Sequence, residues 1–224
     1  INTICNGDSI LLLANAGGGT GTYTYNWSPG YLFNDSTLAN PVAYPTQNTV
    51  LDVAISDSQQ TINEQISVVA KGLPFANAGI DTATCLGASV TLRATGGVSY
   101  KWGLYQYKDS LRVNPVYPTS YTVTVTANNG CKKTDDVYVS IKSLPTASII
   151  GLSKICIGDS TQLTASGGIG YAWSSGGNQV IEKVSASATT IFTVTATAVN
   201  GCSNSSTHTI SLDTLPKVDA GQNV

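Results

Sequence analysis

The feature of this sequence that most constrains its fold is an internal repeat. Residues 85–102 read CLGASVTLRATGGVSYKW, and residues 156–173 read CIGDSTQLTASGGIGYAW, so the same motif returns after 71 residues. Other residues keep the same spacing: Trp102 and Trp173, Cys131 and Cys202, and Pro74, Pro145 and Pro216. A fixed period of this length predicts an array of similar units.

A weaker copy of the motif comes first, with Cys5, Tyr25 and Trp27 in matching order. A Leu-Pro pair opens each later unit, and about a dozen residues separate it from the next cysteine, whereas four residues precede Cys5. We therefore expect a window from a longer chain, with repeats at 1–72 (truncated at its N-terminus), 73–143 and 144–214, and the first strand of a fourth repeat at 215–224.

Period-two alternation predicts strands throughout the chain. In the run YTVTVTA at 121–127, Val123 and Val125 face one way and the threonines between them face the other, which is typical of half-buried strands. Asn-Gly at 129–130 and at 200–201 predicts two hairpins. No segment has a sustained helical period. The sequence thus predicts an all-β fold, a tandem array of three immunoglobulin-like β-sandwiches placed end to end, each of about seven strands. Each unit has one tryptophan on strand C, and we interpret it as a core residue between the two sheets: Trp27, Trp102 and Trp173.

The chain resembles the PKD-like and immunoglobulin-like tandem repeats of large Bacteroidetes cell-surface proteins, which are exported by the type IX system and include gliding-motility adhesins. The motifs that carry the resemblance are CxGxS before strand B, GG…YxW into strand C and YTVTVTANNGC at strands F and G, and the resemblance covers the whole chain. The sequence departs from ordinary PKD domains after strand C, where WGLYQY and WSSGGN replace WDFGDG. The resemblance implies an extracellular location at the cell surface, either attached to the outer membrane or secreted.

Composition argues against several classes of function. Charged residues make up 11% of the chain, against about 25% in typical soluble domains. The net charge is −2, so no basic patch favours nucleic acid, and no apolar run favours membrane insertion. Five cysteines without a CxxC pair indicate an oxidising compartment. The single histidine, His208, is expected at a solvent-facing strand position, and no catalytic motif, metal-ligand set or cofactor motif occurs. We expect no enzyme, no metal and no cofactor.

A recurring tripeptide suggests O-glycosylation. Asp, then Ser or Thr, then a residue such as Ala, Ile, Leu or Thr occurs six times, whereas the composition predicts roughly one by chance. The pattern resembles the O-glycosylation signal of Bacteroidetes surface proteins, and the candidate acceptors are Ser9, Ser36, Thr82, Ser110, Ser160 and Thr214. The alternative is that Asp-Ser and Asp-Thr form turns.

Two functional classes fit these observations. The first is a non-catalytic stalk or fibre segment of a long surface adhesin, whose partners are the neighbouring repeats of the same chain and, through lateral association, other fibres. The second is a set of carbohydrate-binding accessory modules of a secreted polysaccharide-degrading or surface protein, which would contact surface polysaccharide. Its candidate ligand-contact aromatics follow strand C: Tyr31, Phe33, Tyr105 and Tyr107. Core capping is the alternative interpretation of these aromatics.

The cysteines allow two pairings. In immunoglobulin topology the first cysteine of a unit lies in the A–B turn and the second follows the F–G turn, at opposite ends of strands about 25 Å long. A disulfide needs Cα atoms within about 7 Å. In an end-to-end array the bottom of one unit meets the top of the next, which favours Cys5–Cys131 and Cys85–Cys202, with Cys156 left for a following unit. The alternative is pairing within each unit, as Cys85–Cys131 and Cys156–Cys202.

Overall fold

The computed structural model describes residues 2–104, 106–213 and 221, and it confirms the all-β fold of tandem β-sandwiches. The strands are β1 (Asn2–Cys5), β2 (Ile10–Leu11), β3 (Thr24–Ser28), β4 (Val42–Ala43), β5 (Thr49–Ser56), β6 (Thr61–Lys71), β7 (Thr82–Cys85), β8 (Val90–Arg93), β9 (Ser99–Trp102), β10 (Ser110–Val113), β11 (Thr119–Thr126), β12 (Lys132–Lys142), β13 (Ser148–Gly151), β14 (Lys154–Cys156), β15 (Ser160–Ser166), β16 (Gly170–Trp173), β17 (Ile181–Ser185), β18 (Thr190–Thr197) and β19 (Ser203–Asp213). In these described ranges the single helical segment is a 3₁₀ turn at Gly30–Leu32. No described helix has the length and apolar character that a membrane crossing requires.

The chain forms two compact units. The first consists of Ile1–Asp81, Thr91–Val113 and Ser120–Tyr138, and the second consists of Thr82–Val90, Asn114–Thr119 and Val139–Val224. This division differs from the three-repeat division of the sequence, which stays a prediction. The predicted fourth repeat at 215–224 lies outside the described residues apart from Gly221.

The three repeats share one strand order. Their four-stranded sheets run β1-β6-β5-β3, β7-β12-β11-β9 and β14-β19-β18-β16, and smaller sheets hold the strand pairs β2-β4 and β10-β8 and the triplet β13-β15-β17. In each large sheet the first strand lies parallel to the last strand of the same repeat. The described strands number six, six and seven, compared with about seven predicted, because the leading segment forms a full strand only in the third repeat.

Each repeat buries its tryptophan, as the sequence predicts. Trp27, Trp102 and Trp173 lie on β3, β9 and β16 and are at most 5% exposed. The indole Nε1 of Trp27 donates to the carbonyl of Leu38 at 2.9 Å, and that of Trp173 donates to the carbonyl of Gln179 at 2.8 Å. The buried Trp102 Nε1 has no acceptor among the described residues. These tryptophans hold the two sheets of a repeat together, because a large ring fills the space between them.

The Asn-Gly hairpins form as predicted. Gly130 has a φ of 87° and Gly201 one of 83°, in the left-handed region that glycine tolerates best. In the first hairpin the amide of Gly130 donates to the carbonyl of Ala127 at 2.9 Å, and the amide of Ala127 donates to the carbonyl of Cys131 at 2.8 Å. Each turn therefore presents an asparagine and a cysteine together at the tip of the hairpin.

Candidate functional site

The first candidate site is a cross-linked joint inside the first unit, where the first repeat ends and the second begins. Cys5 and Cys131 form a disulfide with their Cα atoms 5.6 Å apart. The parallel pairing of β1 with β6 sets Cys5 opposite Lys71, the last residue of β6. The hairpin of the second repeat brings Cys131 to the same place. The disulfide thus joins the start of one repeat to the F–G hairpin of the next.

The second joint, inside the second unit, repeats this arrangement. Cys85 and Cys202 form a disulfide with their Cα atoms 5.7 Å apart. Cys85 ends β7 and pairs in parallel register with Lys142, the last residue of β12. Because the same two structural positions carry the cysteines at both joints, the cross-link is a property of the repeat.

An asparagine amide adds a second connection at each joint. The Asn129 Nδ2 donates to the carbonyl of Gly72 at 2.8 Å, and its Oδ1 accepts the amide of Cys131 at 3.0 Å. The Lys71 Nζ reaches the carbonyl of Asn129 at 3.4 Å.

At the second joint Asn200 has the same roles. Its Nδ2 donates to the carbonyl of Ser143 at 3.0 Å, and its Oδ1 accepts the amide of Cys202 at 3.0 Å. Sequence reasoning treated Asn129 and Asn200 only as turn residues and missed their contact with the linker. The available signal was the identical Asn-Gly-Cys triplet, which recurs with the period of the repeat.

The two disulfides are the pairs that the sequence favours, and the alternative pairs inside a single repeat, Cys85–Cys131 and Cys156–Cys202, do not form. Cys131 and Cys202 are each 1% exposed, whereas Cys156 is half-buried. Cys156 ends β14 opposite Asp213, at the position that Cys5 and Cys85 hold in their repeats, and it forms no disulfide within the described residues.

The candidate ligand-contact aromatics separate into two groups. Phe33 is half-buried and packs on Trp27 with ring centroids 5.6 Å apart, so it belongs to the core of the first repeat. Tyr31 and Tyr107 are 84% and 70% exposed. The Lys101 ammonium lies 5.7 Å from the centre of the Tyr107 ring. Tyr105 lies outside the described residues.

The candidate glycosylation acceptors differ in exposure. Ser9 and Ser160 are exposed, and three others are half-buried: Ser36, Thr82 and Ser110. Thr214 lies outside the described residues.

One of the glycosylation triplets forms the turn that was the alternative interpretation. The Asp35 Oδ1 accepts both the amide of Thr37 at 2.8 Å and its hydroxyl at 2.7 Å. Both hydrogen bonds lower the pKa of Asp35, because both favour the charged carboxylate. The hydrogen bond from the Thr37 hydroxyl has the larger effect and the one from the Thr37 amide has the smaller.

His208 differs from its predicted place. It is half-buried rather than solvent-facing, because its Nε2 lies 3.1 Å from the carbonyl of Leu152 in the segment that leads into β14. In the described ranges no three His, Cys, Asp or Glu side chains come together as a metal site would require.

Comparison with known proteins adds little to this picture. No protein-family model matches the chain, and no curated protein matches it. The similar solved structures include extracellular domains 3–5 of Drosophila OTK (9% identity, TM-score 0.31, 95% of each chain covered), immunoglobulin domains 1–5 of Sidekick-1 (14%, 0.29, 95% of this chain and 58% of that one), and the human desmocollin-1 ectodomain (11%, 0.26, 89% of this chain and 53% of that one). This chain therefore spans a little over half the length of the last two. Identities and scores this low carry no argument about the function of this chain.

Proposed function

We propose that this chain is a non-catalytic structural segment, a stalk or fibre, of a long extracellular surface adhesin. The observation that carries the proposal is the joint that occurs twice. At each joint a disulfide and an asparagine amide connect one repeat to the hairpin of the next. A recognition module needs a binding surface rather than cross-linked joints. A spacer that transmits force does need cross-linked joints.

The joints restrict motion between repeats in two ways. A hydrogen bond from Asn129 to the linker carbonyl fixes the hairpin against the chain at Gly72, and two residues later Pro74 stiffens the linker further. The disulfide then prevents separation of the two elements under load. A polypeptide linker without these two contacts would leave a hinge between successive repeats.

The extracellular location is supported by the same disulfides, since such bonds persist in oxidising compartments and are rare in the cytosol. O-linked glycans would add the bulky polar coat that so few charges cannot provide. Ser9 and Ser160 are the acceptors with the best access to a transferase. The resemblance of the sequence motifs supports export by the type IX system of Bacteroidetes and a place in a gliding-motility adhesin. The expected partners are neighbouring repeats of the same chain and, laterally, other fibres.

Small-angle X-ray scattering on the oxidised chain tests the proposal. The 11-residue strand β12 is about 36 Å long, so three repeats in line would make a rod of about 100 Å with a radius of gyration of about 30 Å. A compact protein of this length would have a radius of gyration of about 17 Å. The spacer proposal predicts the larger value. A value near 17 Å would contradict it.

Removing both disulfides gives the matched control. A variant with alanine at all four bridged cysteines should keep its far-ultraviolet circular dichroism and yet scatter as a more flexible particle. Glycan-array binding that is lost on changing Tyr31 and Tyr107 to alanine, with no rod-like scattering, would instead favour the carbohydrate-binding function.

A further inference from the structure

The second repeat differs from the other two in its charge. Between residues 73 and 143 there are seven Lys and Arg against four Asp and Glu. The first repeat has one against five, and the third has two against three. Because all three repeats share one strand order, the fold does not require this excess of positive charge. A local cationic surface on a chain of net charge −2 raises the local concentration of anions at that surface.

Lys101 lies on the solvent side of the four-stranded sheet of the second repeat. Its neighbour on β9, Trp102, is buried, and successive residues of a strand face opposite sides of the sheet. Lys101 pairs with Thr124 of β11, which lies between two buried valines. Lys101 and Thr124 are therefore side by side on the outer surface of the sheet.

A second lysine lies on the same outer surface, on β12. The amide of Ala127 donates to the carbonyl of Cys131 at 2.8 Å, so the next pair along the hairpin is Thr126 with Lys132. Cys131 is 1% exposed, whereas Lys132 is exposed and faces the other way. Two strand spacings and two residues along the strands separate the backbones of Lys101 and Lys132, which is about 12 Å.

An exposed tyrosine borders these lysines. An antiparallel bridge joins Trp102 to Gln106, so Tyr107 lies next to Lys101 at the edge of the sheet. The Lys101 ammonium is 5.7 Å from the centre of the Tyr107 ring, and this contact restricts where the ammonium lies. The ring is 70% exposed and leaves apolar surface open beside the cation. We call this surface the lysine face, and it consists of Lys101, Tyr107, Thr124, Thr126 and Lys132.

The other repeats have uncharged residues at both lysine positions. The strand registers place Ala172 and Ser203 there in the third repeat, and Asn26 and Thr61 in the first. The same sheet therefore forms without either lysine, and the lysines are available for a role outside the fold.

One acidic residue lies on the same side of the sheet. Asp136 is exposed and stands four residues after Lys132 on β12, about 13 Å along the strand. The corresponding residue of the third repeat is Thr207. An anion bound at the lysine face would be repelled by the Asp136 carboxylate, so this position tests the sign of the interaction.

We propose that the lysine face binds an acidic polysaccharide whose charges are the carboxylates of uronic acids. The ammonium groups of Lys101 and Lys132 pair with carboxylates of a sugar chain that crosses the sheet. The Tyr107 ring packs on the apolar side of a sugar ring, and the threonine hydroxyls between the lysines hydrogen-bond to sugar hydroxyls.

The spacing of the cations favours this class of ligand. Two ammonium groups whose backbones are about 12 Å apart, with hydroxyls between them, match a polymer of sparse charge better than a densely sulfated one. Nucleic acid fits less well, because proteins that bind it commonly neutralise about 6–10 phosphates. The binding goes beyond the spacer function and is independent of it, since a rigid stalk forms with or without this ligand.

Calorimetric titration of the oxidised chain with a hexamer of galacturonic acid tests the proposal. We expect weak binding at low salt that disappears in about 1 M NaCl, where the Debye length is about 3 Å. Maltohexaose, an uncharged chain of the same length, should not bind. Small-angle scattering of the same sample keeps the spacer function separate, because its result does not depend on the sugar.

Four substitutions locate the contact. Lys101→Ala and Lys132→Ser introduce the residues that the third repeat has at these positions, so the variants should fold, and circular dichroism checks this. Each should weaken binding about two- to fivefold, and the double variant about tenfold. Asp136→Thr should strengthen binding. The matched control, Lys183→Ala, removes the same charge from an exposed position of the third repeat and should leave the affinity unchanged.

Three results would overturn the proposal. The first is no binding of the galacturonate hexamer at low salt. The second is equal weakening by Lys183→Ala and by the two variants of the lysine face, which would mean a response to net charge alone. The third is tighter binding of fully sulfated maltohexaose or of single-stranded DNA than of the galacturonate hexamer, which would mean a surface for dense polyanions.

Discussion

Replacing Cys5 and Cys131 together by alanine removes the cross-link of the first joint and leaves no unpaired thiol there. The disulfide encloses 126 residues of sequence. In the chain-entropy model, a loop of that length restricts the unfolded chain by about 5 kcal/mol if the whole enclosed segment unfolds at once.

The stabilisation that the disulfide provides changes only slightly if the first repeat unfolds alone. The loop then runs from Cys5 to the linker at Gly72, about 70 residues, and the same model gives about 4 kcal/mol. Measured losses for native disulfides fall at about 2–5 kcal/mol. With a urea m-value of about 2 kcal/mol/M, the unfolding midpoint of the first repeat should fall by about 1–2.5 M.

Urea unfolding of the oxidised proteins, followed by the fluorescence of the buried tryptophans, measures this shift. The matched control is Cys156→Ala, which removes a half-buried thiol that forms no disulfide within the described residues. Its midpoint should stay close to that of the unmodified chain. If the double variant and the control unfold at the same urea concentration, the reasoning that the joint restricts the chain is refuted.

Other perturbations address single contacts. Asn129→Ala removes the amide that binds the linker and should destabilise the joint by about 1 kcal/mol in urea unfolding, whereas the exposed neighbour Asn128→Ala should change little; equal losses would contradict the role given to Asn129. Trp173→Phe leaves the carbonyl of Gln179 without its donor and opens a gap in the core, so we expect a loss of about 2–4 kcal/mol, and a loss below about 0.5 kcal/mol would contradict the core assignment. Backbone amides that donate hydrogen bonds to Asp57 lower the pKa of its carboxyl group below the usual 3.8. The stabilising effect of Asp57 is therefore present above pH 3.8 and is lost as the pH falls through the lower pKa of the folded state. Titration of the carboxyl carbon followed by NMR would measure this pKa, and a value at or above 3.8 would contradict the prediction. This 224-residue segment, when it is expressed in the native host, should exceed the 23.2 kDa of the bare segment by the mass of its glycans, and intact mass at the bare value would end that proposal.

The repeated motif made the fold predictable, because alternation, Asn-Gly turns and a fixed tryptophan position all agree on sandwich strands. The disulfides were predictable only with an assumed strand topology. Equal spacing of the cysteines along the chain does not indicate which cysteines lie close together in the fold. The observed pairs agree with that topology because Cys5 is the last residue of β1, which lies parallel to β6 and so ends where the repeat ends.

The contacts at the joint were not predictable from the sequence. A hairpin asparagine is explained by its turn alone, and only the coordinates put the Asn129 amide on a linker carbonyl. Phe33 was also ambiguous, because an aromatic after strand C can face solvent or fold back on Trp27, and the choice depends on the 3₁₀ turn just before it.

Peptide mapping under non-reducing conditions tests the central claim, that disulfides connect successive repeats. Trypsin cleaves after Lys and Arg, which puts the five cysteines on five different peptides: 1–71, 72–93, 113–132, 155–183 and 184–217. The cross-linked joints predict one species that joins 1–71 to 113–132 and another that joins 72–93 to 184–217. A species that joins 72–93 to 113–132 would mean a disulfide between Cys85 and Cys131 inside one repeat, and would contradict the account.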